Sequence, residues 1–418
     1  MRIGGALAAI VALVAVACSS SDAGPGAPTA DPPAPPVVEP GPAAPTYHAD
    51  IAPILSRACA ACHVEGGVGP FALGTYAAAQ RRHTDIAAAV GARVMPPWLP
   101  SEACATYRDD RHLAQREIDA IVAWSRAGAP EGDPASASRP VTPERRTLEW
   151  TDVVLDIGAD HVPSQDEWRC FLIDPALTED VVLVGYDLRP TDRSQVHHAG
   201  LVDTDLDVAR AKDAADPGPG WACPGDTGVG SSRVLGSWAG GFGAVLFPPG
   251  TGVRLTKGRG IAVQIHYHLH DTSKAPPADR TQLALQLARS TPPREARLVS
   301  VGAAVAIPPR AQSHTSTASI SLPERGTVWA IQPHMHLLGR RFTVAVTAPG
   351  GATECLLDVP RWDYRWEEMF FLAGAGKPFE AGARVDVTCT WDNPRDGAVG
   401  YGLGIDDEMC DVSMVVSP

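Results

Sequence analysis

The chain has 418 residues, enough for two to four domains, each with a core of its own. Its net charge of −13, with no basic tract, argues against nucleic acid as a partner. With 40 glycines, 39 prolines and only 6% aromatic residues, the composition suits a β-rich, loop-rich protein better than a helical bundle.

Residues 1–18, MRIGGALAAIVALVAVAC, join one early arginine to a short apolar run and small residues. This is the pattern of a bacterial export signal, too short for a comfortable membrane span. Its end, AVAC, is similar to a lipobox, which implies that Cys18 is lipidated and becomes the mature N-terminus. Ala15 stands where a leucine is usual, so ordinary cleavage with loss of Cys18 is the other reading. Export to the periplasmic side or outer membrane of a bacterium, or secretion, is expected, with the lipid as the only membrane attachment. Residues 19–46 are rich in proline, alanine and serine and are expected to be an extended tether. A second loose stretch, 131–147, is expected to be a linker between two structured parts of the chain.

Between these stretches, CAACHVEGGVGP places Cys59, Cys62 and His63 in C-x-x-C-H spacing. Two thiols one helical turn apart can form thioethers with a porphyrin, and the adjacent histidine can ligate its iron. Ile51, Ile54, Leu55 and Ala58 recur at helical spacing before the motif. After it, LAQREIDAIVAWSRAGAP predicts an amphipathic helix with a stripe of Ile118, Ile121, Val122 and Ser125, and Gly128 as its stop. Residues 47–130 thus resemble a small all-α c-type cytochrome domain of class I. The resemblance implies covalently bound haem c. In VMPPWLP, Met95 looks like that family's second axial ligand. His83, His112 or no residue at the sixth position remain alternatives to Met95. A disulfide or half a zinc site is the alternative for the cysteines, although the sequence offers no second C-x-x-C to complete zinc.

From residue 148 the texture changes to short β-branched, alternating runs bounded by Gly, Pro or Asp. They predict two all-β antiparallel sandwich (jelly-roll) domains, 148–290 and 291–418, without convincing helices. Histidine concentrates in QVHHAGLVD (His197, His198), QIHYHLHD (His266, His268, His270) and QPHMHLLGRR (His334, His336). Alternate residues of a strand share a face, so the middle stretch lines up three imidazoles. His161 and His314 stand alone and are read as structural. Neutral imidazole suits copper or zinc, and this many of them suggest more than one metal. The terminal GIDDEMCDVSMVV adds Met409, a soft thioether that favours copper(I) and is poor for zinc.

With HH, HYH, H-x-H and E-M-C in that order, residues 148–418 resemble the copper type II ascorbate-dependent monooxygenases, which include peptide-amidating and dopamine-hydroxylating enzymes. The resemblance implies two copper ions. One takes His197, His198 and His266 and supplies an electron; the other takes His334, His336 and Met409, binds dioxygen and hydroxylates a substrate C–H bond. His268 is the rival to His266, and His270 a neighbour. The resemblance further implies disulfides Cys170–Cys223 and Cys389–Cys410. Cys104 and Cys355 are left over, either to pair between domains or to stay free.

Where the amidating enzyme uses an arginine for a peptide carboxylate, this chain has Gln332, and Asp411 and Ser413 replace an asparagine and a tyrosine. These departures argue against a C-terminal glycine carboxylate and leave a small organic molecule or another peptide as substrate. The electron donor is ascorbate or another one-electron donor, such as a redox partner protein. The haem, tethered by residues 131–147 at high effective concentration, is expected to supplement or replace it. A non-catalytic copper- and haem-binding electron-transfer lipoprotein is the alternative. Copper storage would want many methionines, and the chain has six.

Overall fold

The computed structural model describes residues 44–418 apart from 138–145, 165, 231–232, 241–242, 270–274, 291–293, 403 and 405. The export signal, Cys18, most of the proline-rich tether, the middle of the second loose stretch and His270 lie outside the described residues.

Helices occupy Ala52–Ala58, Tyr76–Arg81, His83–Gly91 and Gln115–Arg126, the first preceded by a π-helical turn at Tyr47–Ile51. Ile51, Ile54, Leu55 and Ala58 are buried against Ile118, Ile121 and Trp124 in a core of their own. The stripe of the last helix is led by Trp124, fully buried, while Val122 sits at its margin. The indole fits because its Nε1 donates to Pro130 O at 3.0 Å, so the ring is buried without an orphaned polar atom. Glu117 ties the unit together, accepting from Ala114 N at 2.9 Å and from Arg57 Nη2 at 2.8 Å. Gly128, at φ +82°, ends the helix in the left-handed conformation that glycine adopts without cost.

The rest of the chain is mostly β. A five-stranded antiparallel sheet runs in the order Trp221–Ala222, Asp166–Ile173, Arg259–His268, Val196–Asp205, Arg233–Ala239. A four-stranded antiparallel sheet runs His314–Leu322, Ala383–Trp391, Gly339–Thr347, Thr353–Val359. A ten-stranded sheet serves both. Its Leu183, Tyr186 and Leu285 share a core with Phe171, Leu201 and Val263 of the five-stranded sheet. Its Ile331, Val412 and Met414 share a second core with Phe342, Val387 and Trp391 of the four-stranded sheet.

Two expectations need correcting. The sandwiches are not separate antiparallel units, because the strand Arg294–Gly302 pairs in parallel with Thr251–Leu255 at one end and antiparallel with Asp411–Ser417 at the other. Nor is the region free of helix. Leu206–Ala215 is helical, started by Asp205, whose carboxylate accepts from Asp207 N at 2.9 Å and Val208 N at 3.3 Å. It buries only Ala209, so its apolar periodicity is faint in the sequence.

Residues 98–111 leave the helices and enter the second sandwich. Tyr107 lies in that core and its hydroxyl donates to Leu356 O at 2.8 Å. Ser101 N donates to Asp358 O at 2.7 Å, and Arg108 N to Phe371 O at 2.8 Å. Cys104 and Cys355, left over in the sequence, are disulfide-bonded across this contact. The helical region is therefore fixed to the β region and does not swing on a tether.

Candidate metal centres

The first histidine cluster is built by sheet register. Strands Val196–Asp205 and Arg259–His268 pair antiparallel with His198 opposite His266. A register shift between Val196 and His198 breaks the two-residue alternation there, so two consecutive imidazoles reach one site. His197, His198 and His266 are all buried, and their candidate ligand atoms lie within 4.8 Å of one another. Trp168, opposite His266 on the next strand, stacks on its ring at 4.4 Å and 4°. Burial pushes His198 well below the usual imidazole range, and the neighbouring His266 and His197 add to this. It is thus held neutral, with a lone pair to offer. His268 stays outside the group, its ring 6.1 Å from His197 and 6.3 Å from His266.

The second cluster is built by individual acceptors. The rings of His334 and His336 are 5.1 Å apart and near-perpendicular. His334 Nδ1 donates to both carboxylate oxygens of Glu367 at 2.9 Å, and His336 Nδ1 to Asp407 O at 3.0 Å. These acceptors hold a proton on Nδ1 of each ring, so Nε2 is the atom that would meet a metal. Among the described residues, His336 Nε2 is buried with no hydrogen-bond partner, which a metal ion would supply. Burial pulls the His334 pKa down, but Glu367, then Asp411 and Asp226, outweigh it and hold the ring at about 9.

Met409 is buried and bracketed by anchors on both sides. Before it, the fully buried Glu408 accepts from His336 N at 3.0 Å, Leu338 N at 2.5 Å and Trp391 Nε1 at 3.0 Å. After it, Cys410 is bonded to Cys389, and Asp411 pairs with His334 across the sheet. Cys170 and Cys223 are bonded beside the first cluster's sheet. Three residues here escaped the sequence reading: Trp366, whose ring lies 4.3 Å from that of His197, Glu367, and Glu408 in its anchoring role. Glu408 stood within the E-M-C motif, a usable signal, whereas nothing in YRWEEM relates Trp366 or Glu367 to a histidine.

In the helical region, His63 Nδ1 donates to Phe71 O at 3.0 Å. Gly69 makes room for this ring, since a Cβ there would lie 2.7 Å from His63 Nδ1. Cys59 and Cys62 lie outside the three disulfides. Met95 is half-buried in the loop beyond the third helix, His83–Gly91. Of the alternatives to Met95, His83 has its Nδ1 2.9 Å from Ser125 Oγ, and His112 is paired with Asp110 and Glu102, both at 2.6 Å. His161 is bonded to Glu167 at 3.2 Å, and His314 lies against Trp391.

No curated protein sequence matches the chain. Among solved structures, the major capsid protein P2 of Bacteriophage PM2 is 11% identical with a TM-score of 0.25, covering 63% of this chain and 96% of that one. A Broad Bean Stain Virus chain is 9% identical with a TM-score of 0.21, covering 58% and 77%. An allantoicase is 13% identical with a TM-score of 0.17, covering 60% and 78%. Likeness this slight carries no argument. Residues 296–415, which hold His334, His336 and Met409, match the family model of the copper type II ascorbate-dependent monooxygenase C-terminal domain, and this points to copper-dependent monooxygenase activity in general.

Proposed function

We propose that the chain is an exported copper monooxygenase that hydroxylates a C–H bond of a small organic or peptide substrate with dioxygen. The observation that carries this reading is the pairing of an orphaned imidazole nitrogen, His336 Nε2, with a buried thioether two residues before the partner of His334, all within the matched segment. Copper bound there supplies dioxygen binding and one-electron redox chemistry. The chain's own residues do the rest. Glu367 and Asp407 O hold the two imidazoles with Nε2 presented, and Glu408 keeps the methionine segment against the H-x-H turn. His197, His198 and His266 form a second pocket of buried nitrogen donors, suited to a copper that changes oxidation state without losing a ligand.

The strand that carries His334 supports a substrate other than a C-terminal glycine carboxylate. Gln332 and Ser413 are cross-strand partners, as are His334 and Asp411. No arginine stands at these four positions to clamp a carboxylate. We further propose that Cys59, Cys62, His63 and Met95 hold haem c and that this haem supplies electrons to copper, alongside or in place of ascorbate or a redox partner. Three disulfides fit an exported protein. A lipid on Cys18 would be its anchor. The test is a product survey: copper-loaded protein is incubated with a compound panel and a reductant, and products heavier by one oxygen are sought. A gain of one oxygen that vanishes in Met409→Ala supports the reading. Two bound coppers with no oxygenated product from any compound class would favour a pure electron-transfer role.

A further inference from the structure

The segment 364–369, YRWEEM, lies where the helical region and both sandwiches meet. The Trp366 ring is 4.3 Å from the His197 ring. The next residue, Glu367, accepts the Nδ1 proton of His334. The one after, Glu368, accepts from Arg111 Nη2 at 2.5 Å, and Arg111 belongs to the segment that joins the helical region to the second sandwich. Met369 N then donates to Ser237 Oγ at 2.9 Å, pinning the segment to the first sandwich. Three consecutive side chains thus touch three regions.

A cavity beside this segment is lined by Cys62, Pro97, His197, His198, Trp366 and Glu367 among others. The C-x-x-C-H loop therefore borders the same space as the first histidine cluster. The backbone repeats the contact. A Cβ on Gly240 would lie 3.1 Å from Val68 Cβ, and Gly240 N donates to His197 O at 3.3 Å. Trp366 is the aromatic side chain of this cavity that touches a histidine of the cluster.

We propose that Trp366 is a positioning residue for one-electron transfer between the C-x-x-C-H loop and the His197, His198 and His266 centre. The proposal rests on the copper and haem reading of the function. The step balances without bond changes: ferrous haem loses one electron and becomes ferric, copper(II) gains it and becomes copper(I), and no proton moves. An external one-electron reductant restores the haem. The physical ground is packing. An indole in van der Waals contact with a ligand ring fills what would otherwise be a gap between donor and acceptor, and electronic coupling falls off faster through empty space than through packed atoms.

The test uses the full chain loaded with haem and copper(II), without dioxygen or substrate. The haem is reduced by one electron from an added photosensitiser excited by a light flash and regenerated by a sacrificial amine donor, then its absorption band and the copper(II) paramagnetic resonance signal are followed. The haem should reoxidise in step with loss of the copper(II) signal, one for one. Trp366→Leu, which removes the ring and leaves part of its space empty, should slow transfer by about tenfold or more, and Trp366→Phe, which restores a ring, should recover most of the rate. The resting copper(II) spectrum should be the same in all three, which separates a relay from a residue that merely holds His197. Transfer at the original rate in Trp366→Leu, or a resting spectrum that changes in proportion to the rate, overturns the proposal. Loaded protein in which haem stays ferrous beside copper(II) overturns the relay alone. A chain that takes up no haem or no copper overturns the functional reading and the relay together.

Discussion

The two histidine clusters reach similar ends by different means. His197, His198 and His266 are placed by strand pairing, with a register shift to bring consecutive residues to one side and Trp168 stacked behind. Their rings lie directly against one another, with His197 Nδ1 and His198 Nδ1 3.1 Å apart. His334 and His336 are each turned by a separate acceptor, and the Met409 thioether proposed to join them lies on a distant segment held by Glu408 and the Cys389–Cys410 bridge. The first cluster is a property of a sheet, and the second of a set of hydrogen bonds. Single substitutions outside the ligands should therefore damage the second far more than the first.

The largest effect is expected from Met409→Ala. Hydroxylation should be abolished while metal analysis still finds the first cluster filled, so the copper content falls toward half. Next is Glu408→Ala, which strands three donors, the amides of His336 and Leu338 and the Trp391 indole. Each buried unsatisfied donor costs about 1–3 kcal/mol, so the chemical-denaturation midpoint should fall visibly along with metal binding at the second cluster. Smaller is Glu367→Gln, which keeps an oxygen acceptor for His334 but removes its charge. Copper affinity at the second cluster should drop on the order of 10- to 100-fold with the first unchanged, as read by competition titration. Smallest at the metal sites is the pair Cys104→Ser with Cys355→Ser. It should cost about 2–4 kcal/mol of stability yet leave both coppers bound, since neither cysteine neighbours a cluster.

The same contrast explains what the sequence made legible. Histidines on alternating strands announce themselves, because a strand places residues of like chemistry at fixed spacing. The helical core around Ile51, Leu55, Ile118 and Ile121 was readable for the equivalent reason at helical spacing. The orienting groups were not. Glu367 lies 33 residues from His334, and Asp407 lies 71 from His336, so no local period connects them. The pairing of Cys104 with Cys355 spans 251 residues and depends on a loop entering the second sandwich, which no pattern in residues 98–111 announces. The shared sheet was hidden as well. A strand that changes partners along its length, as Arg294–Gly302 does, has the same alternation as one that does not.

The central claim is that one of two copper centres carries a thioether from Met409 and the other carries imidazoles alone. X-ray absorption at the copper edge of the fully reduced, two-copper protein tests this most directly. The predicted result is a sulfur scatterer at half occupancy per copper over a background of imidazole nitrogen, with the sulfur shell gone in Met409→Ala and intact in His266→Ala. A spectrum without sulfur, or a sulfur shell that survives Met409→Ala, would contradict the account.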